Sequence, residues 1–386
     1  MGGTDRGTKR LERSAAIRKV AKVTFFFVLP AVWAIGWLEH LLTTTSDFRT
    51  AYDLKLVYLP AAHAVVHGLS PFPSPTDPSV ASQVAYVYPP IVAFVTSPLL
   101  LLPLGAAIVV GVLGSLLLVF GILAAAGVRD WRCYGLALLW TPVFNAVQNV
   151  NISLPIAFLL ALAWRYRGSQ RASGIALGCA VAAKLFVWPL LVWPLAVRRW
   201  WALATGIALA VVLAIGSWAA IGFKGFTAYP RLMSALTSHE ETQSYSVSAA
   251  LRVLGLGTPL ARGLAVALTL ALLASCLVYG RRGDERRAFS AAILAALTST
   301  PILWQHYLMI LLVALAVSRP RASLAWCVPI ALWPVPFLGF GNSAQTFAVP
   351  LVGAIVGAAC LLPDRTAFHL FGVVRATPRV SRVVTR

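Results

Sequence analysis

The sequence predicts an all-α, polytopic membrane protein, and three observations carry that expectation. Of the 386 residues, 59% are hydrophobic and only 11% charged, with a mean hydropathy of +0.80, far from the balance of a water-soluble domain. Apolar runs at 23–38, 104–126, 201–222, 260–279 and 347–362 approach or reach the roughly 20 helical residues that cross a hydrocarbon core. Basic residues gather at the ends of such runs, as they do at cytoplasmic turns. Helices are expected because lipid offers backbone groups no other partner, and the alternating pattern of a barrel strand is absent.

The formal net charge of +20 is topological information, so no nucleic-acid partner is expected. Residues 1–22 hold Arg6, Lys9, Arg10, Arg13, Arg18, Lys19 and Lys22, and residues 364–386 hold Arg365, Arg375, Arg379, Arg382 and Arg386. Both ends should therefore be cytoplasmic tails around one transmembrane domain at 23–363, in the cell membrane. No small-residue cleavage site follows the first apolar run, which predicts an uncleaved first helix. The five cysteines, Cys133, Cys179, Cys276, Cys327 and Cys360, lie in or beside apolar runs without paired spacing and read as packing residues.

Basic clusters at 165–171, 198–199, 281–287 and 319–321 mark further cytoplasmic turns, so the segments between them rise and return. Their external apices read QNVN (148–151), AAKLFVWP (182–189), a long loop at about 223–250, TPILWQHY (300–307) and GFGNSAQ (339–345). Hairpins 134–164 and 173–197 are too short for two full crossings at about 1.5 Å per residue, which places Asn149 and Lys184 inside the membrane. Segment 86–127 must cross an odd number of times, although LPLG (102–105) looks like a turn within it. The expected total is about ten to thirteen helices, and the sequence holds no convincing internal repeat of the kind many transporters show.

Residues 43–85 form the first external loop, longer than a simple connection needs. Within it 59–67 reads as a short interfacial helix: Pro60 suits its first turn, Ala61, Ala62, Val65 and Val66 supply an apolar face, and Gly68 can stop it. Of the twelve carboxylates, this topology leaves Glu39, Asp47, Asp53, Asp77, Glu240 and Glu241 outside. Any external carboxylate base comes from that set. Asp53, beside the bilayer, is the leading candidate, with pairing to Lys55 or helix capping as its structural alternative. Lys184 is an ionisable group at membrane depth, suited to neutralising a lipid-linked phosphate, with snorkelling as the alternative. His306 could donate to a phosphate or sugar hydroxyl, although Trp304 and Tyr307 beside it equally fit an interfacial aromatic belt. His63 and His67 are four apart on the short helix but lack a nearby third ligand, so no metal site is expected. Arg231 and Arg252 flank HEETQSYSVSAALR (239–252) as long-reach cations or solvated loop charges. A phosphate-binding glycine loop, a nucleophile elbow and a helical zinc motif are all absent, which disfavours a nucleotide-sugar enzyme.

DLKLVYLPAAHAVVHGLSPF (53–72) followed by YVYPPIVAFVTSPLLLLPLG (86–105) resembles the N-terminal signature of the polyprenol-phosphate-mannose-dependent mannosyltransferases, glycosyltransferase family 87, multi-pass enzymes of the GT-C fold. The matching positions are Asp53, Tyr58, Ala61, Ala62, Gly68, Pro71, Phe72, Tyr88, Pro89 and Pro90. The resemblance continues through NAVQNVNISLPIAFLLALAW (145–164), GIALGCAVAAKLFVWPLLVWPL (174–195), SYSVSAALRVLG (244–255) and STPILWQHYLMILL (299–312), and so spans most of 45–315. The family usually has Gly-Gln-Val-Asn where this chain has Gln148-Asn149-Val150-Asn151, and Asn-Gln-Ser where it has Ser244-Tyr245-Ser246. The interval from Asp53 to Tyr58 is one residue longer than usual, which keeps Asp47 as an alternative base.

The resemblance implies transfer of mannose from a polyprenyl-phosphate donor to a hydroxyl of a glycolipid or glycan acceptor on the external face, inverting, with a single Asp base. Asp53 would take the acceptor proton, and Lys184 and His306, with Arg252, would hold the donor phosphate. Tyr58, Tyr88, Asn149, Asn151 and Gln305 would line the substrate cavity, with membrane lipid around it. A monophosphate leaving group neutralised by protein cations needs no metal or other cofactor. The alternatives are a transferase for arabinofuranose or another lipid-linked sugar, a lipid or glycolipid transporter, and a structural scaffold.

Overall fold

The computed structural model describes residues 14, 16, 17, 19–43, 50–334 and 342–363. The C-terminal tail, most of the N-terminal one, Asp47 and part of the apex at 339–345 lie outside them. The described residues are helical, without strands. In chain order the principal helices are α1 (Leu29–Thr43), α2 (Leu59–Val66), α3 (Pro90–Thr96), α4 (Leu104–Ala125), α5 (Trp131–Leu138), α6 (Thr141–Asn149), α7 (Ser153–Arg165) and α8 (Gln170–Ala183). There follow α9 (Val192–Ala196), α10 (Trp200–Ala220), α11 (Tyr229–Glu240), α12 (Val247–Val253), α13 (Thr258–Arg281), α14 (Glu285–Ser299), α15 (Leu311–Ser318) and α16 (Ser343–Leu361).

Five helices among the described residues are long and apolar enough to cross a membrane: Lys19–His40, which includes most of α1, and α4, α10, α13 and α16. The pair α6 and α7, bent by 117°, makes a sixth if counted as one broken span. The expected ten to thirteen exceeds this because other apolar segments fold as shorter helices: Leu54–Val66, Pro90–Leu101, Leu185–Ala196 and Gln305–Ser318. Each contains a 3₁₀ or π stretch, and at 10–17 residues each has fewer than a full crossing needs. The turn at LPLG is real, but it joins the short Pro90–Leu101 to α4, so 86–127 contains one full-length span.

The interior is closed by large apolar side chains, Trp140, Trp193, Trp326 and Phe289 among the fully buried ones. Trp140 and Trp326 use their indole N–H groups to satisfy the Trp326 and Arg319 carbonyls, at 2.8 and 2.9 Å, so burial leaves neither donor unpaired. Helices α8 and α10 approach closely through small residues. A Cβ at Gly174 would stand 2.5 Å from the Ala202 carbonyl oxygen, and one at Gly178 would stand 2.8 Å from that of Gly206. Such spacing of small residues lets membrane helices bring their backbones together, where dispersion rather than water release drives association.

The molecule has two chemically distinct ends. At one, Arg199 pairs with Glu285, Arg287 with Asp284 at 3.0 Å, and Arg319 caps α16 by donating to the Ala359 and Leu362 carbonyls. A buried cation at a helix C-terminus satisfies orphan carbonyls and the macrodipole together. At the other end two long loops fold on one another. Lys224 donates to the Gly68 carbonyl at 2.5 Å, Tyr229 to that of Val87 at 2.7 Å, and Gln83 to Gln243 at 3.1 Å. Val80, Ala85, Leu232, Leu236 and Ile302 form a small second core there. Helices α7, α8, α14 and α15 each run between the two ends, joining the basic clusters to the loop-covered cavity described next.

Candidate active site

The helix expected at 59–67 forms as α2, with Pro60 in its first turn and Gly68 beyond it at φ +68°, a conformation glycine adopts without strain. Ala61, Ala62 and Val65 are buried, but Val66 is exposed. His63 and His67 are exposed, and the His67 ring bonds the His63 carbonyl at 2.8 Å.

Asp53 lies just before a π-helical stretch at Leu54–Tyr58. Its neighbour Ala51 donates its N–H to the Gln148 carbonyl at 2.7 Å, which ties the loop to the end of α6. There the chain reverses through Val150, a β-branched residue held at φ 54° and ψ 49°, a costly conformation that turns Asn151 back towards the loop. The Asn151 side-chain amide donates through Nδ2 to the Asp53 carboxylate, and its Oδ1 accepts from the Ser153 N–H at 2.8 Å. Tyr58 Oη accepts from the Ile152 N–H at 3.2 Å and lies within 3.5 Å of the Asn151 amide. Asp53 is thus fixed by a partner in the break between α6 and α7.

It faces a cavity of about 550 Å³, within the range of small-molecule sites. Tyr88, Asn149, Lys184, Gln305 and His306 line the same cavity, which brings together most of the residues expected from the sequence. Tyr58 and Asn151 stand directly behind Asp53. Helix α8 ends at Ala183, and Lys184 is extended, so its ammonium leaves the helix axis and enters a cage of aromatic rings. Its Nζ lies 3.6 Å from the Tyr307 ring centroid, 4.8 Å from Tyr88 and 5.6 Å from Phe186, buried and without a hydrogen-bond partner. Ring quadrupoles steady such a charge but leave its three N–H donors unused. His306 Nδ1 is 3.1 Å from Asn145 Oδ1, to which Asn149 also donates at 3.3 Å. Tyr307 stacks on Phe186, which sets the 300–307 apex against the cavity rather than in an interfacial belt.

Among the other carboxylates expected on the external side, Asp77 caps a short helical turn through the Ser79 N–H, and Glu241 is gripped by Arg262. Arg252, in the last turn of α12, does not line the cavity; its charge is felt by Glu241. Glu240, at the end of α11, does line it and is 5% exposed. Burial pushes the Asp53 carboxyl up to about 6, against the opposing pull of the Asn151 hydrogen bond and the Lys184 charge. Burial likewise pushes Glu240 up to about 7, opposed by a hydrogen bond from the Trp304 indole and by Lys184. Asn145 was not singled out from the sequence, and Glu240 only as one of six candidate external carboxylates. The i, i+4 repeat of Asn145 and Asn149 on one helix was the available signal for the first, and a helix-terminal acid without a nearby basic partner for the second.

A carboxylate, a caged cation and a histidine thus line one cavity of this helical membrane protein. The family model of glycosyltransferase family 87 matches residues 86–304, more than half of the chain, and the chain belongs to that family. It is 26% identical over 277 residues to the polyprenol-phosphate-mannose-dependent alpha-(1-2)-phosphatidylinositol pentamannoside mannosyltransferase of Mycolicibacterium smegmatis, covering 64% of this chain. The chain spans 60% of that relative's length. No solved structure gives a significant match. Lys184, Asn151 and Glu240 fall inside the family match, whereas Asp53, Gln305 and His306 lie outside it and are joined to the site by the fold.

Proposed function

We propose that the protein transfers mannose from polyprenyl-phosphate mannose to a hydroxyl of a glycolipid or glycan acceptor, with inversion, at the membrane face opposite its basic clusters. The observation that carries this reading is that Asp53 and the unpartnered Lys184 ammonium share one cavity. In the proposed step the acceptor hydroxyl gives its proton to Asp53 while its oxygen attacks the anomeric carbon. The bond from that carbon to the phosphate oxygen breaks, and polyprenyl phosphate leaves with its charge held by Lys184; His306, whose Nδ1–H is given to Asn145 Oδ1, adds a hydrogen bond from Nε2 only when its ring is doubly protonated. One displacement by one base gives inversion. Charge that develops on the leaving phosphate meets a preplaced cation in a low-dielectric site, the usual largest contributor to such catalysis.

The donor and the mannosyl specificity rest on family membership and on the name of the mycobacterial relative. The external placement rests on the separation of the cavity from Arg199, Arg287 and Arg319 by the lengths of α7, α8, α14 and α15. Family membership speaks against the transporter alternative.

The test is a donor panel. The purified full chain in detergent is offered polyprenyl-phosphate mannose, polyprenyl-phosphate glucose and polyprenyl-phosphate arabinofuranose, each labelled in the sugar, with a crude glycolipid fraction as acceptor. Label from mannose in the product lipid is expected; label from arabinofuranose alone would replace the proposed donor, and none from any donor would overturn the transferase reading.

A further inference from the structure

Glu240 carries a cost that the transfer chemistry above leaves unexplained. It is 5% exposed, and among the described residues no cation lies within ion-pair distance of it, although the adjacent Glu241 has Arg262. Burying a carboxylate without a cation is expensive. It is also the last residue of α11, where the negative end of the helix dipole disfavours an anion. Its protein donor is the indole of Trp304. A carboxylate offers about four acceptor positions, so one indole leaves most of that capacity unused.

The next residue along the chain supplies the complement. Gln305 is 7% exposed, lines the same cavity, and its side-chain Nε2 has no hydrogen-bond partner. An acid acceptor, an amide donor and the Trp304 ring between them in sequence suit a polyhydroxylated ring. Hydroxyls donate to the carboxylate and accept from the amide, and the C–H face of the ring lies on the indole. A phosphate does not suit this corner, since a carboxylate repels it; the phosphate belongs with Lys184. Glu240 and Lys184 line the same cavity, so a group held by Glu240 belongs to the same substrate as one held by Lys184. In a sugar phosphate the neighbour of the phosphate is the sugar that is transferred.

We propose that Glu240, oriented by Trp304 and assisted by Gln305, is a specificity-determining residue that accepts hydrogen bonds from hydroxyls of the transferred sugar. This rests on the glycosyl-transfer reading. A site built to bind a hydroxyl discriminates strongly against an analogue that lacks it, because its own polar group is then left buried and unpaired.

The experiment compares polyprenyl-phosphate mannose with its 2-, 3-, 4- and 6-deoxymannosyl analogues, using the full chain in detergent and the variants Glu240→Gln, Glu240→Ala and Trp304→Phe. Wild type should lose about 100-fold or more in kcat/KM with at least one deoxy donor. In Glu240→Ala that penalty should shrink to a few-fold, because the partner of the missing hydroxyl has gone, and Trp304→Phe should give an intermediate penalty. Thermal unfolding in detergent monitors folding, and Glu240→Leu, which keeps the bulk but accepts no hydrogen bond, stands in if the alanine variant does not fold. Equal deoxy penalties in wild type and variants would overturn the proposal. So would a Glu240→Gln protein as inactive as Asp53→Asn with its KM unchanged, which would make Glu240 a base. A wild type that transfers none of the donors overturns the transfer reading itself, and this inference with it.

Discussion

Asn151 donates its side-chain amide to the Asp53 carboxylate across 98 residues of chain, joining the first long loop to the break between α6 and α7. A hydrogen bond to the charged form favours it, and it also aims the carboxylate. Replacing Asn151 with Ala removes both effects. We expect kcat to fall by about 10-fold or more and the acidic limb of the pH profile to move upwards, since the carboxylate then holds its proton more tightly. A pH series of initial rates on the variant checks both.

The acidic limb of the wild-type profile should itself lie high. A base must be ionised, and burial raises Asp53 to about 6. Activity should therefore fall as the pH drops through that value, losing about tenfold for each further unit. A limb near the ordinary carboxylate value of about 4 would place the base elsewhere.

Lys184→Met separates function from stability. The ammonium is buried, has no hydrogen bond and is held by aromatic rings, so an apolar side chain of similar length should leave the unfolding temperature unchanged or raise it. The rate should nevertheless fall by about 100-fold or more, because a preplaced charge opposite the leaving group is lost. A merely structural lysine would show the reverse pattern, with lowered thermal stability and near-normal turnover.

Gly174→Leu tests the close approach of α8 to α10. The Ala202 carbonyl leaves no room for even a Cβ, and relief requires the helices to part. We expect a loss of about 1–3 kcal/mol or more, read as a lowered unfolding temperature in detergent, with activity reduced because α8 delivers Lys184.

Much of this was legible in the sequence for identifiable reasons. Apolar run length and the placement of arginines gave the helical membrane class and its basic end. Pro60 and Gly68 bounded α2. Polar residues at the apices of apolar hairpins, Asn149, Lys184 and His306, pointed to the cavity because a polar group at membrane depth needs a reason to be there. What pattern could not reach was distance. The Asn151 to Asp53 bond and the Trp304 to Glu240 bond join separate segments, and only the fold brings them together. The lengths of individual helices were less legible, because 3₁₀ stretches such as Leu185–Leu191 and Gln305–Ile310 look in sequence like part of a longer α-helix. Arg252 was expected at the phosphate by its charge, yet α12 carries it towards Glu241 instead.

The central claim, that Asp53 is the base of a glycosyl transfer, is tested most directly by measuring transfer of labelled mannose from polyprenyl-phosphate mannose by wild type and Asp53→Asn, alongside donor binding by each. Asn keeps the shape of the side chain and can still accept a hydrogen bond, but it cannot take a proton. The account predicts donor binding within a few-fold of wild type and turnover lowered by about 100-fold or more. An Asp53→Asn protein that binds donor and turns over at the wild-type rate would contradict it.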